Sequence, residues 1–221
     1  MNDFINQLKE INLLKGTLET LYMVFVSSLI SFLIGTIIAL VYVYTDENGL
    51  KPNKIINKIL DLTINIGRSI PFIILAIILM PLSLLIFNKT YGNTVFILPL
   101  TISAIPFVSR MQESIFKECN KNILETVIVC GARTKDIIFH VYIKESLPQI
   151  IRSFSIVFVN IVGYSAMAGS IGAGVLGKIA ITEGYHKYDF KIMFTVLILI
   201  IMVVQFFQYL FEKIAKKIDK K

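Results

Sequence analysis

The feature that most restricts the fold of this chain is a set of five uncharged stretches, each 20 or more residues long. They cover residues 20–45, 69–88, 90–109, 153–177 and 192–211. About 20 apolar residues in an α-helix cover the roughly 30 Å hydrocarbon layer of a bilayer, whereas a strand needs only about half as many. The lengths therefore predict an all-α membrane protein with five transmembrane helices, with spans at about 17–44, 58–87, 92–112, 148–170 and 190–212.

The basic residues indicate the orientation of these spans. A net charge of +7 could by itself suggest a nucleic-acid partner, so the positions of the charges decide the interpretation. With the C-terminus in the cytosol, 16 of the 22 Lys and Arg residues fall on the cytosolic side and 6 on the opposite side. The positive-inside rule then places the N-terminus outside and the C-terminus in the cytosol. The expected partner is membrane lipid, and no nucleic acid binding is predicted.

A polar, positively charged segment interrupts the apolar pattern between the third and fourth spans, and its central part is expected to form a cytosolic loop at about 117–145. Gly131 divides it into two helical parts, as a C-cap for the first, and Thr134 is a candidate N-cap for the second. One apolar face on the first part is predicted from the spacing of Ile123, Leu124, Val127 and Ile128. So short a helix is unstable alone, which favours docking in a groove of a cytosolic partner. The alternative is a loop packed against its own protein.

Arg68, Ser69 and Pro71 interrupt the second span. If the helix enters the membrane near Ile55, Arg68 lies deep in the bilayer, where an ionisable group usually lines a cavity. If it enters at Ser69, Arg68 reaches back to the inner interface. Pro71 removes a backbone hydrogen bond and is predicted to kink the helix, as in proteins that move solutes across membranes.

The fourth span carries a second candidate for a solute pathway. Asn160, Tyr164 and Met167 share one helical side, and Ser165 lies next to them in sequence. A thioether and aromatic edges make weak contacts with an apolar side chain, which suits a pathway that must release its cargo. Packing between helices is the alternative.

Two sequence patterns that could suggest cofactors do not predict cofactor sites. Residues 172–178, GAGVLGK, fit a dinucleotide or phosphate-binding motif, but Ile179 replaces the hydroxyl that would bind Mg²⁺, and the predicted topology places them outside. Cys119 and Cys130 lack metal-ligand spacing. The chain is expected to hold no cofactor or metal and to perform no catalysis.

The spacing of Glu125, Gly131 and Val141 resembles the Glu-Ala-Ala loop of ABC importer permeases. Thr126 and Val127 stand where the family has two alanines, and Ile143-Lys144 stand where it usually has Leu-Pro, a pair that occurs here at Leu147-Pro148. In that family the loop forms a coupling helix held in a cleft of the cytosolic ATPase subunit. The resemblance implies that the residues coupled to the ATPase are Glu125, Thr126, Val127, Gly131, Ala132 and Val141.

Residues 68–75 (RSIPFIIL), 162–169 (VGYSAMAG) and 172–177 resemble the permease subunits of methionine importers. The resemblance implies a type I ABC importer permease fold in the bacterial cytoplasmic membrane and a homodimer of this chain. It also implies two cytosolic ATPase subunits that bind ATP-Mg, an external substrate-binding lipoprotein, and methionine as cargo. The residues expected to line the pathway or its gate are Arg68, Ser69, Pro71, Asn160, Tyr164, Ser165 and Met167. A permease for another amino acid or small peptide, and a passive channel or scaffold, are the alternatives.

Overall fold

The computed structural model describes residues 12–89, 92–119, 121–173 and 176–219, and every structural statement below refers to these residues. They form helices joined by short turns, without a strand. The α-helices are α1 (Leu13–Thr45), α2 (Lys54–Ser69), α3 (Phe72–Phe87), α4 (Asn93–Lys117), α5 (Lys121–Val129), α6 (Thr134–Asp136), α7 (Leu147–Gly169), α8 (Leu176–Ile179) and α9 (Phe190–Ile218). Two π-helices, Ile137–Ile143 and Ala180–Tyr185, follow α6 and α8.

Four of the described helices, α1, α4, α7 and α9, are long and apolar enough to cross a membrane. A fifth span requires that α2 and α3 be counted as one bent pair. The helices overlap all five predicted spans. The residues at which each span enters and leaves the membrane remain predictions.

The second predicted span is a broken helix, which corrects the expectation of a single kinked one. α2 ends at Ser69 and α3 begins at Phe72. Proline disfavours helical geometry in the residue before it, here Ile70, and Pro71 itself has extended backbone angles (φ −61°, ψ 132°) at the N-cap of α3. Pro81, in contrast, lies inside the continuous α3, so a proline alone does not break these helices.

The chain divides into two compact units, each assembled from parts of the long helices. The first unit comprises the described residues within Met1–Ile30, Ile70–Ser103 and Phe158–Gln208. Its buried side chains include Met23, Phe96, Leu100, Phe158 and Ile161. The loop after α7 is attached to this unit by two hydrogen bonds, from the Gly92 amide to the Gly172 carbonyl and from the Leu176 amide to the Thr20 hydroxyl.

The second unit comprises the described residues within Ser31–Ser69, Ala104–Val157 and Tyr209–Lys221. Two glycines let its helices approach closely. A Cβ added at Gly35 would lie 2.6 Å from Cγ1 of Val108, and one added at Gly67 would lie 2.5 Å from Cγ of Pro106. The unit contains an inner apolar cluster, formed by Ala39, Val43, Phe116, Ile137, Val141 and Tyr142.

Candidate functional site

The predicted cytosolic loop folds around α5, and Gly131 ends this helix as expected. Gly131 has φ +77°, in the left-handed region. Its amide donates to the Ile128 carbonyl at 2.9 Å, and the Ala132 amide donates to the Val127 carbonyl at 3.2 Å. These two bonds form a Schellman motif, so the predicted C-cap is confirmed.

The predicted start of the next helix was wrong by one residue. Arg133, with extended backbone angles (φ −72°, ψ 151°), occupies the N-cap position, and Thr134 is already the first residue of α6. No side-chain hydrogen bond caps this helix. α6 leads directly into the π-helix Ile137–Ile143, which carries its apolar residues into the inner apolar cluster.

One side of α5 packs on the second unit. Leu124, Val127 and Ala132 lie against the inner apolar cluster, in which Val141 is buried. Phe116 and Tyr142 meet edge to face at 6.1 Å between ring centroids. Burial raises the pKa of the Tyr142 phenol, which therefore stays neutral and acts as a packing group. Three of the predicted coupling residues, Val127, Ala132 and Val141, thus connect the loop to the ends of α1 and α4.

The remaining surface of α5 is exposed and includes apolar side chains. Among the described side chains of α5 none is buried, and Glu125 and Thr126 are exposed. Val129 is 87% exposed, and Ile128 and Ile123 are also exposed. These residues lie in a loop outside the predicted spans, so lipid is not expected to cover them. An exposed apolar surface in such a place is typical of a docking site for another protein.

The rest of the chain packs against α5 only in part. An open groove of about 470 Å³ lies beside it, lined among others by Asn48 and Gly49 of the first predicted cytosolic turn, Lys117, and Glu125 and Ile128 of α5. Leu124 and Val127 pack on the chain itself, whereas Glu125 and Ile128 face this open groove.

Five charged residues connect the helix ends near α5. We call them the charge cluster, and its members are Asp46, Asp61, Arg110, Glu113 and Lys117. Glu113, whose side chain is 5% exposed, contacts Arg110 Nη1 at 2.6 Å through Oε2 and Lys117 Nζ at 3.0 Å through Oε1. Arg110 reaches Asp61 on α2 at 2.9 Å, and Lys117 reaches Asp46 after α1 at 2.9 Å. One buried carboxylate thus links the ends of three helices.

The electrostatics of the charge cluster favour its ionised form. Burial raises the pKa of the Asp46 carboxyl, but the hydrogen bonds from Lys117 and from the Asn48 amide outweigh this effect, and the pKa lies below its ordinary value. The ring of Tyr42 lies next to both cations, with Lys117 Nζ at 5.1 Å and Arg110 Cζ at 5.9 Å from its centroid. The cluster therefore forms a charged and aromatic support at the cytosolic ends of α1, α2 and α4.

The predicted pathway residues of α7 do not all share one side. Asn160 and Met167 lie on a face with Gly163, where an added Cβ would meet no atom within 4 Å, and Met167 is 49% exposed. Ser165 is buried on another side, where its hydroxyl donates to the Val162 carbonyl. It lines a small cavity with Thr20 and Leu176. Asn160, Gly163 and Met167, together with the exposed Ile156 on the same face, therefore form a side of α7 that the chain itself covers only in part.

The break before α3 lies next to the predicted pathway. Phe72, the first residue of α3, stacks on Tyr164 with 5.0 Å between ring centroids and an interplanar angle of 3°. Pro71 immediately precedes it at the N-cap. The tyrosine predicted from the fourth span and the proline predicted from the second are thus brought together within the first unit.

Arg68 and Ser69 lie at the exposed C-terminal end of α2. The Ser69 hydroxyl donates to the Asn65 carbonyl at 2.9 Å, a bond within its own helix. The positive charge of Arg68 at a helix C-terminus is favourable with respect to the helix dipole. Their pathway role stays a prediction.

No group of three or more His, Cys, Asp or Glu among the described residues is placed to hold a metal ion. The features described so far are those of a transport protein: long apolar helices, a broken span beside an aromatic stack, and an exposed cytosolic helix. Residues 31–219 match the family described as the binding-protein-dependent transport system inner membrane component. This chain belongs to that family. It is therefore a multi-pass protein of the bacterial inner membrane and a component of a transport system.

Individual relatives agree with this assignment. The chain is similar to the probable D-methionine transport system permease protein MetI of Vibrio cholerae, with 39% identity over 207 residues, 94% of this chain and 92% of that protein. It is also similar to the methionine import system permease protein MetP of Bacillus subtilis, with 35% identity over 80% of each chain.

Solved structures confirm the predicted fold class. An inward-facing structure of the MetNI methionine ABC transporter has a chain that matches with a TM-score of 0.93 and 33% identity, covering 97% of this chain and 99% of that chain. An amino acid ABC transporter with histidines matches with a TM-score of 0.77 and 19% identity, a likeness of fold alone. The chain has the type I ABC importer permease fold.

Three features of the site were missed from the sequence. Val129 carries the largest exposed apolar surface of α5, but it lies between the predicted coupling residues Val127 and Gly131 and is not one of them. Phe72 was not assigned a role, although its position directly after Pro71 was a usable signal. Glu113 could not have been found from its neighbours, since its importance depends on partners from other helices.

Proposed function

We propose that this chain is the membrane-spanning permease subunit of an ATP-driven importer of methionine. It works as a homodimer with two cytosolic ATPase subunits and an external substrate-binding lipoprotein. ATP and Mg²⁺ are bound by the ATPase subunits, and this chain holds no cofactor and breaks no covalent bond. The names of the relatives and of the matching solved transporter support this cargo and these partners.

The observation that carries the proposal is the exposed apolar surface of α5 in a cytosolic loop. Val129 and Ile128 offer contact area to a partner, while Leu124 and Val127 hold the same helix on the inner apolar cluster. A short helix that contacts both proteins can transmit a displacement between them. The Schellman motif at Gly131 fixes the C-terminal end of α5.

Coupling follows from the connections of α5 within the second unit. When the ATPase subunits close on nucleotide, they displace α5. The inner apolar cluster passes the displacement to Phe116 at the end of α4 and Val43 at the end of α1. The charge cluster makes these helix ends move together, since Glu113 contacts cations that also bind Asp46 and Asp61. The result is a rigid-body motion that switches the pathway between inward and outward access.

The pathway lies on the twofold axis of the dimer, because five helices are too few to enclose a solute. Asn160, Gly163 and Met167 form the part of α7 that faces it. The thioether of Met167 makes weak contacts with an apolar cargo side chain. Tyr164, stacked on Phe72, holds the break before α3 beside this face.

The test is uptake of labelled methionine by cells without their own importers, with this chain expressed beside its ATPase and binding protein. Val129→Asp places a charge on the docking surface without touching the inner apolar cluster, and Val129→Leu keeps the surface apolar. We expect uptake that needs ATP, a loss of both uptake and ATPase co-purification in Val129→Asp, and near-normal values in Val129→Leu.

The outcomes separate the parts of the proposal. Uptake that continues in Val129→Asp without ATP would contradict an ATP-driven importer and indicate a passive channel. An assembled complex that hydrolyses ATP but imports no methionine would support the permease function and exclude methionine as the cargo. Competition by other amino acids would then identify the substrate.

A further inference from the structure

A group of exposed aromatic side chains lies at the start of α9, on the side of the chain predicted to be external. Tyr185 is 64% exposed, Tyr188 is 78% exposed and Phe190 is 55% exposed. The predicted pathway and coupling sites do not include them. Aromatic side chains with this much exposed surface are normally covered by lipid or by another molecule.

The backbone holds these rings in a defined arrangement. Tyr185 ends the second π-helix, and the Tyr188 amide donates to its carbonyl at 3.2 Å. Tyr188 has φ +55°, a left-handed conformation that is unfavourable for a bulky residue and is often retained for function. The Asp189 carboxylate then caps α9 by accepting from the amides of Lys191 and Ile192 at 3.1 and 3.3 Å.

The direction of the Phe190 side chain follows from the exposed stripe of α9. Phe190, Phe194, Leu197 and Ile201 are all exposed and are spaced four, three and four residues apart, which places them on one helix face. In a membrane-spanning helix such a face meets lipid. Phe190 is its outermost member, and Tyr188 and Tyr185 lie beyond it at the external end.

The depth of this stripe places the tyrosines near the lipid headgroups. From Phe190 to Ile201 the helix rises roughly 16 Å, about half of the hydrocarbon thickness of a bilayer. If Ile201 lies near the midplane, Phe190 lies at the outer border of the hydrocarbon layer. Tyrosine is enriched at this level because its ring is apolar and its hydroxyl needs a polar partner.

Two exposed lysines flank Tyr188 in sequence, Lys187 and Lys191. The Lys187 ammonium pairs with the Glu183 carboxylate at 2.6 Å, so Lys191 provides the cation for a headgroup phosphate. Lysine stems lie along apolar surface while the ammonium groups reach phosphate, and tyrosine hydroxyls donate to phosphate or ester oxygens. We propose that residues 185–191 form an interfacial anchor that binds phospholipid headgroups of the outer leaflet and fixes the depth of α9.

The sequence contains no tryptophan, which allows a direct test with the full chain. Tyr188→Trp introduces a single fluorophore at the proposed anchor, and Tyr185→Trp is a second reporter in case the first variant fails to fold. Ile201→Trp is the matched control at mid-membrane depth. Each variant is reconstituted in vesicles of phosphatidylglycerol and phosphatidylethanolamine that carry bromine at shallow or deep positions of the acyl chains.

We expect the anchor reporters to be quenched more by shallow than by deep bromine, with the order reversed for Ile201→Trp. Strong quenching by aqueous iodide without quenching by lipid would overturn the proposal, since the rings would then lie in water. Lack of both kinds of quenching would indicate cover by a second copy of the chain. Loss of lipid quenching on addition of the external binding protein would assign the surface to that protein instead.

Discussion

At the residue scale, single glycines in this chain serve different physical needs. Gly131 supplies a left-handed backbone, Gly177 allows two backbone segments to touch, and Gly163 leaves open space on α7. The same substitution is therefore expected to have different effects at each position.

Gly131→Val should weaken the end of α5, and Gly131→Asn should be close to the parent. An added Cβ at Gly131 meets no atom within 4 Å, so the cost comes from the backbone conformation alone. A left-handed conformation costs an ordinary residue about 1–2 kcal/mol, and asparagine tolerates it better. The measurement is the fraction of ATPase subunit that co-purifies with each variant. Equal co-purification of the two variants would contradict a role for the Schellman motif in docking.

Gly177→Ala should destabilise the first unit. A Cβ there would lie 2.5 Å from the carbonyl oxygen of Ala166 and 2.7 Å from its Cα, so the backbone must move. Overpacking of this kind costs about 1–3 kcal/mol. Thermal unfolding in detergent should show a lower Tm than the parent.

Gly163→Ala is the matched control on the same helix as Ala166. Its Cβ would meet nothing within 4 Å, and alanine favours a helix over glycine by about 1 kcal/mol. The Tm of the isolated chain should be unchanged or higher. Similar losses in both variants would show that crowding at Gly177 is not the cause.

At the element scale, α2 shows how polar contacts place a helix. Its apolar residues Ile55, Ile59, Leu62 and Ile66 are exposed, and on another side of the helix Asp61 and Asn65 bind Arg110 of α4. In a membrane protein this arrangement is consistent, because lipid can cover the apolar face and the charge cluster satisfies the polar one. The ion pairs therefore determine which side of α2 faces the protein.

Glu113→Gln should loosen the ends of α1, α2 and α4. The change keeps the size of the side chain but removes the charge that holds Arg110 and Lys117. Hydrogen bonds to a buried charged group contribute about 2 kcal/mol, and Asp61 and Asp46 remain as partners. We expect a loss of about that size in a detergent unfolding titration.

The same substitution at an exposed pair provides the comparison. Glu212 contacts Arg152 at 3.4 Å, and both side chains are more than one-third exposed. Such pairs contribute at most about 1 kcal/mol, so Glu212→Gln should change stability little. If the two variants lost equal stability, burial of Glu113 would have no special effect.

The stabilising effect of Asp46 should depend on pH. Because the folded pKa of this carboxyl lies below its ordinary value of 3.8, its contribution is full well above pH 3.8 and is lost as the pH falls through the folded pKa. Asp46→Asn should therefore lower the Tm relative to the parent at pH 7, and the difference should shrink below pH 3.8. A difference that is constant with pH would mean that the ion pair with Lys117 contributes nothing.

At the scale of the whole molecule, the chain has the fold of one half of a transporter. The face of α7 with Asn160, Gly163 and Met167 is open within a single copy. The stripe of α9 is also open, and its uniformly apolar side chains suit lipid. The two faces should therefore behave differently in the assembled protein.

Met167→Cys should form a disulfide with the same residue of a second copy, since the proposed twofold axis passes beside this face of α7. The experiment needs the background Cys119→Ser and Cys130→Ser, because neither native cysteine is in a disulfide and both could crosslink. Ile198→Cys on α9 is the control and should remain monomeric under the same mild oxidant. Non-reducing gels report the result, and crosslinking at Ile198 but not at Met167 would move the dimer interface to α9.

The sequence by itself determined the class of this protein and the polar segment between α4 and α7. The length of an apolar helix follows from the thickness of a bilayer, and the distribution of Lys and Arg predicts the orientation. The end of α5 at Gly131 was also predictable, because the left-handed conformation is a local preference of glycine. These properties depend on residues that are near each other in the chain.

Only the tertiary structure decided which side of each helix faces the protein. Asp61 and Arg110 are 49 residues apart, and their pairing explains which side of α2 contacts α4. The stack of Phe72 on Tyr164 and the burial of Ser165 likewise depend on distant helices. Periodicity shows that residues share a face, but the partner of that face comes from elsewhere in the chain, so local sequence patterns could not identify it.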